Sequence, residues 1–197
     1  KQVESAYADW IALISSKEYS DSAWFTLTPV SQKSVHGATL TVLADQSVLA
    51  GGENPSRDTF EIEFTTDQQH LSGFKLEALL DDSLPGTGPG RYTAERPNFV
   101  LQEFTLEAAG KKIKLHSAIA DFSQLNYDVS KAVDGDPATA WAIAPQFFKS
   151  HWAEFQTEKP IEFAGAQKIK ASLIMNYGGG RVIGRLRLLA RTGTRPT

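Results

Sequence analysis

The chain has 197 residues, of which 41% are hydrophobic and 22% charged, with a formal net charge of −3. That composition is ordinary for a folded domain and too apolar for disorder, and its slightly acidic balance offers no basic field for nucleic acid. The absence of cysteine excludes disulfides, thiolate zinc sites and covalent haem attachment within these residues, and no run approaches the roughly 18 apolar residues of a membrane-spanning helix.

Residues 3–16, VESAYADWIALISS, place Val3, Tyr7, Trp10, Ile11 and Ile14 at helical spacing. This predicts a short amphipathic helix, with 1–22 as an N-terminal helix or linker. From Trp24 the period changes to two. GATLTVLA alternates Ala38, Leu40, Val42 and Ala44 against Thr39 and Thr41; TFEIEFTT sets Phe60, Ile62 and Phe64 against Glu61 and Glu63. FKLEALL, FVLQEFTLEA, IKLHSAIA, HWAEFQ, KIKASLIMNY and IGRLRLLA follow, about nine strand-like runs in all. Turn chemistry separates them: AGGENPSRD, DDSLPGTGPG, DGDP and NYGGG. The reading is an all-β jelly-roll sandwich over residues 23–197, with its longest irregular pieces at 81–98 and 140–150. The chain, from Lys1 to RTGTRPT, reads as a module of a longer protein, with any targeting signal outside it.

Few residues suggest catalysis. There is no G-x-S-x-G elbow, and the four histidines, at 36, 70, 116 and 151, lack metal-ligand spacing. YGGGRVIG imitates a nucleotide loop, but a strand rather than a helix follows it, so the phosphate-binding geometry is missing. Glu61 and Glu63 share one strand face and read as solvated positions, not as a hydrolytic pair spanning one bond. The expectation is a protein that is not an enzyme.

The stretch KAVDGDPATAW (131–141) is different. Asp134 and Asp136 offer hard carboxylate oxygens, Gly135 permits a sharp bend, and Thr139 adds a hydroxyl and a carbonyl. Calcium takes about six to eight such oxygens, but the spacing is not that of an EF-hand. On chemistry alone the loop is either a calcium site or a plain Asx turn. Its A-x-D-G-D-x-x-T-x-W pattern resembles the signature loop of the galactose-binding-like, discoidin-type β-sandwich family. That resemblance implies a structural calcium with the tryptophan, here Trp141, packed beneath it. It also implies a closing carboxylate from a neighbouring strand. Here that strand precedes the loop, which implies a rearranged strand order with Glu103 in FVLQEF as the closing ligand. The Lys131 or Ala132 carbonyl would join Asp134, Asp136 and Thr139. Nearly the whole chain, including LAGGENPSRDTFEIEF, LEALLDDSLPGTGPGR, AVDGDPATAWAI and IGRLRLLART, resembles a module of large planctomycete and verrucomicrobial proteins that often also carry a cytochrome-c-like domain. This resemblance implies carbohydrate binding in a periplasmic, cell-envelope or secreted protein.

A saccharide site needs an aromatic plate for the C–H face of a sugar ring and planar donors or acceptors for its hydroxyls. APQFFKSHW offers Phe147, Phe148, His151 and Trp152; GPGRYTAERPN offers Arg91, Tyr92 and Asn98; NYGGGR offers Asn176, Tyr177 and Arg181. Trp152 is a platform or is covered by the N-terminal helix; Arg91 is a ligand contact or a tie between carbonyls. Lys168 and Lys170 on one strand and Arg185, Arg187 and Arg191 on another would form a basic stripe if those strands paired. Such a stripe would favour sulfate or carboxylate groups on a polysaccharide, or serve as a solvated edge against aggregation. The leading expectation is a polysaccharide-binding module, with anionic glycans among the candidates, that positions other domains of its parent protein. The alternative is a structural or protein-docking module without a sugar site.

Overall fold

A computed structural model of the chain describes residues 24–193. The expected N-terminal helix lies outside the described residues. The strands are β1 (Trp24–Thr26), β2 (Thr28–Ser34), β3 (Thr39–Val42), β4 (Val48–Gly51), β5 (Asp58–Thr66), β6 (His70–Ala78), β7 (Val100–Leu101), β8 (Glu103–Ala108), β9 (Lys111–Ile113), β10 (Leu115–Ala120), β11 (Trp141–Ala142), β12 (His151–Glu162), β13 (Gln167–Met175) and β14 (Arg185–Arg191). Two single 3₁₀ turns, Pro85–Thr87 and Val129–Ala132, are the helical content of the described residues. None of it is long and apolar enough to cross a membrane.

The strands form an antiparallel β-sandwich. One sheet runs β10-β12-β6-β14-β4-β3, with β1 on the remaining length of β14; the other runs β2-β5-β13-β8-β9. A two-stranded ribbon, β7-β11, sits apart from both. The period of two in the sequence sorts the faces. Phe60, Ile62 and Phe64 of β5 and Ile169, Ala171, Leu173 and Met175 of β13 are buried, as are Leu186, Leu188 and Ala190 of β14 and Ala153 and Phe155 of β12. These side chains meet between the sheets in one core, and its burial is the main source of stability.

Two expectations are corrected. FVLQEFTLEA is not one strand. Val100 and Leu101 pair with β11, whereas Glu103–Phe104 onward pair with β13. Gln102 makes the change of partner, its N–H on the Ile174 carbonyl and its amide on Pro137. The basic stripe does not form, because β13 and β14 belong to different sheets. Lys168 and Lys170 pair across β5 with Glu63 and Glu61, at 3.1 and 3.0 Å. On the other sheet Arg185 reaches Asp45 and Asp81, Arg187 reaches Glu77, and Arg191 is buried.

Candidate functional site

The loops at one end of the sandwich enclose a cleft of about 420 Å³. Its walls come from 92–98, 124–127, 144–147 and 177–181, and Val100 and Ala142 of the small ribbon also line it.

The wall at 177–181 follows β13 and contains three consecutive glycines, 178–180, all at positive φ, a region other residues enter at a cost. Gly180 is there for a second reason: a Cβ would collide with the amide of Asn54. That amide donates to the carbonyls of Arg91 (2.7 Å) and Gly180 (3.3 Å), so Asn54 ties two walls together. Arg91 reinforces the tie, its guanidinium donating to the Gly52 and Glu53 carbonyls at 2.9 and 3.0 Å. Burial lowers the Arg91 pKa, and nearby Asp58 opposes that shift.

Arg181 is held flat. Its guanidinium carbon sits 3.7 Å above the centre of the Tyr92 ring and 5.6 Å from that of Tyr177, and one terminal N–H donates to Gly178. Tyr177 meets Tyr127 edge-on at 6.2 Å, with their hydroxyls 3.1 Å apart. This hydrogen bond raises the Tyr127 pKa, burial and the neighbouring Tyr177 add to the rise, and Arg181 opposes it.

Two primary amides complete the polar lining. The Asn98 Oδ1 accepts from the Ile143 N–H (3.4 Å) and the Gln124 Oε1 from the Ala144 N–H (3.2 Å). Because each partner is a donor, the oxygens must face it. The two NH₂ groups are left without a protein acceptor among the described residues. Around the mouth, Phe148 is 60% exposed, Tyr177 50% and Leu125 84%, three of the five exposed large apolar side chains among the described residues. Phe148 stands edge-on to Phe147 at 6.2 Å.

Of the residues expected to bind saccharide, Tyr92, Asn98, Phe147, Tyr177 and Arg181 line the cleft, with Phe148 beside it. Four do not. Arg91 is the buried tie just described. His151 is buried, with Nδ1 on Asp121 and Nε2 2.6 Å from the Gln146 carbonyl, so it pins the 143–150 segment from behind. Trp152 lies on the outer face of the larger sheet beneath the Lys75 ammonium, 4.5 Å from its ring centre. Asn176 turns its Oδ1 inward, where it has no partner. Sequence reasoning missed Arg96, Gln124 and Tyr127. The available signal was SQLNYD, which repeats the Asn-Tyr pair of NYGGG in a second loop.

The acidic loop lies outside this cleft. Asp134 and Glu103 instead border a second cavity, of about 620 Å³, between the edges of the two sheets. Asp128 caps the 3₁₀ turn that leads in, and Gly135 takes positive φ at the bend. The Asp134 Oδ2, the Asp136 carbonyl and the Lys131 carbonyl lie 2.8, 3.2 and 3.3 Å from the Thr139 hydroxyl. One hydroxyl proton cannot serve three acceptors. The Asp136 carboxylate accepts from the Ala138 N–H, so this residue brings its carbonyl rather than its carboxylate to the cluster. Glu103 of β8 is 7% exposed, and its Oε1 has no partner. Burial pushes the Glu103 carboxyl above the usual range, Asp134 adds to the rise, and the Gly135 N–H opposes it.

Lys112 offsets part of the negative charge at Glu103, and crowded oxygens of this kind fit a hard cation. Among the described residues no three acidic or histidine side chains stand close enough to hold a metal by themselves, so carbonyls and the hydroxyl would have to supply much of the set. The loop leads into Trp141, which is fully buried, meets Phe99 edge-on at 5.0 Å and donates to the Phe122 carbonyl. The loop thus supports β11 and the 121–128 segment, rather than bracing 145–152 directly. Comparison of the chain with protein-family models, with curated proteins and with solved structures finds no match.

Proposed function

We propose that this domain is a non-catalytic carbohydrate-binding module of a larger envelope or secreted protein, and that the 420 Å³ cleft is its saccharide site. The observation that carries this reading is the meeting, in one cleft, of aromatic side chains with two uncommitted primary amides. Sugars present an apolar C–H face and a rim of hydroxyls. Tyr177 and Phe147 address the first; the Asn98 and Gln124 amides address the second. A pocket of this kind is lined mainly by apolar and aromatic groups, with a few placed polar ones. Among the described residues the cleft lining contains no carboxylate and no imidazole, which supports binding rather than glycoside hydrolysis, since hydrolysis needs a carboxyl pair.

The rest of the module serves as support. Asn54, Arg91 and His151 fix the loops before any ligand arrives, which lowers the ordering cost of binding. A structural calcium would be held by the Lys131 carbonyl, Asp134, the Asp136 carbonyl, Thr139 and Glu103, and would add positive charge among these oxygens. It would secure β11 without touching the saccharide.

The test is retention of the protein in gels that contain a panel of neutral and acidic polysaccharides. Retention by at least one glycan, weakened about tenfold by Tyr177→Ala with little change in melting temperature, is the expected result. If no glycan retains the parent protein, the proposal fails and the protein-docking module takes its place.

A further inference from the structure

The saccharide that the proposed site accepts is defined by what the side chains lining it lack. Its polar lining offers the Asn98 and Gln124 amide NH₂ groups, the Arg96 and Arg181 guanidinia, and tyrosine hydroxyls, and it contains no Asp or Glu. Both amide oxygens are already committed to backbone N–H groups. Among the described residues the two amide NH₂ groups therefore face no protein acceptor, and the Gly178 carbonyl takes one N–H of Arg181. A neutral sugar hydroxyl both donates and accepts, and is best matched by a mixture of the two. An anion only accepts, and is best matched by donors alone.

The two arginines strengthen the argument. Among the described residues neither Arg96 nor Arg181 has a carboxylate within ion-pair reach. The sheet-face arginines Arg185 and Arg187 are each paired. The Tyr92 face and the Gly178 carbonyl fix the Arg181 plane in advance, so less side-chain entropy is lost when the guanidinium takes a planar oxyanion.

We propose that the cleft is selective for acidic saccharides, with the carboxylate of a uronic acid or a sulfate ester placed against the Arg181 and Arg96 guanidinia. This rests on the carbohydrate-binding reading above and narrows it. Arg181 is the specificity-determining residue, and Arg96, on the more exposed wall, adds charge at the mouth.

The experiment measures affinity by titration calorimetry for three probes: an oligogalacturonate, the same oligosaccharide after reduction of its carboxyl groups to alcohols, and a sulfated galactan oligosaccharide. The parent protein should bind at least one acidic probe about ten- to a hundredfold more tightly than the reduced one, with the preference shrinking as salt rises. Preference for the uronate identifies a carboxylate as the ligand group, and preference for the galactan identifies a sulfate. Arg181→Gln should remove most of the preference, lowering affinity for the acidic probe far more than for the reduced one. Arg181→Lys should restore it only in part, since a lysine lacks the planar fork. Circular dichroism and melting temperature establish that each variant is folded. Equal binding of acidic and reduced probes by the parent overturns acid selectivity and leaves the carbohydrate-binding reading standing. An acid preference that survives in both Arg181→Gln and Arg96→Gln also overturns this assignment. Absence of binding to all three probes, together with absence of retention on the wider panel, overturns both readings.

Discussion

Arg187 and Arg181 are six positions apart in the chain and are used in opposite ways. Arg187 lies on β14, within 2.8 Å of Glu77 on the adjacent strand, and its charge is spent inside the fold. Arg181 lies in the loop before β14, stacked on a tyrosine, with no carboxylate in reach among the described residues. The same contrast holds for acids. Glu61 and Glu63 are matched by lysines across the sheet, whereas Glu103 is buried facing more negative charge, with one oxygen unpartnered. Regular strand pairing puts opposite charges side by side and neutralises them. The acidic loop with Glu103 and the loop-end cleft with Arg181 fall outside this pairing, the first rich in oxygens and the second in donors.

The acid-rich place gives the largest expected effect. If the loop 131–139 takes calcium, a hundredfold excess over Kd should stabilise the domain by about 2.7 kcal/mol. Chelation should lower the melting temperature accordingly, and Asp134→Ala should abolish that response. Calorimetric scans with and without calcium check this. An identical melt of the confirmed metal-free and calcium-loaded proteins would remove the cation from the account.

The pH dependence sharpens the same point. In the cation-free protein the folded-state pKa of Glu103 lies above its unfolded value. Between the two values the folded form holds the extra proton, so stability falls as pH rises through that window. Glu103→Gln should flatten this slope and stabilise the cation-free protein at neutral pH by about 1 kcal/mol. With calcium bound the sign reverses: the carboxylate is needed ionised, so affinity for the ion should fall as pH drops.

The paired charges provide the smallest effect and the control. Arg187→Gln should cost about 1 kcal/mol, because a partly exposed ion pair still screened by solvent contributes little, and should leave saccharide affinity unchanged. A large loss of binding in that variant would break the contrast between strand-face and loop charges.

What was legible in the sequence follows the same division. β5 and β13 were readable because both are inner strands with one buried face, so TFEIEF and KIKASLIM alternate cleanly. β2, at a sheet edge, reads TPVSQKS and buries almost nothing in alternation, so it left no period to find. The loops 88–98 and 176–181 were found because glycine and proline announce them. The 121–128 wall was missed because Gln124 and Tyr127 matter only where the fold brings them opposite Tyr177 and Ala144. Trp152 was ambiguous because outward strand positions look alike until a partner such as Lys75 is placed over them.

The central claim is that the loop-end cleft is where saccharide binds. The most direct measurement is a ¹⁵N-edited NMR titration with an acidic oligosaccharide, following the side-chain resonances of Asn98, Gln124 and Arg181. The account predicts that the Asn98 and Gln124 NH₂ signals and the Arg181 Nε–H signal shift together, in a saturable way, while those of Arg185 and Arg187 stay fixed. Saturable shifts confined to the sheet faces or to the cavity beside Glu103, with the cleft signals unmoved, would contradict it.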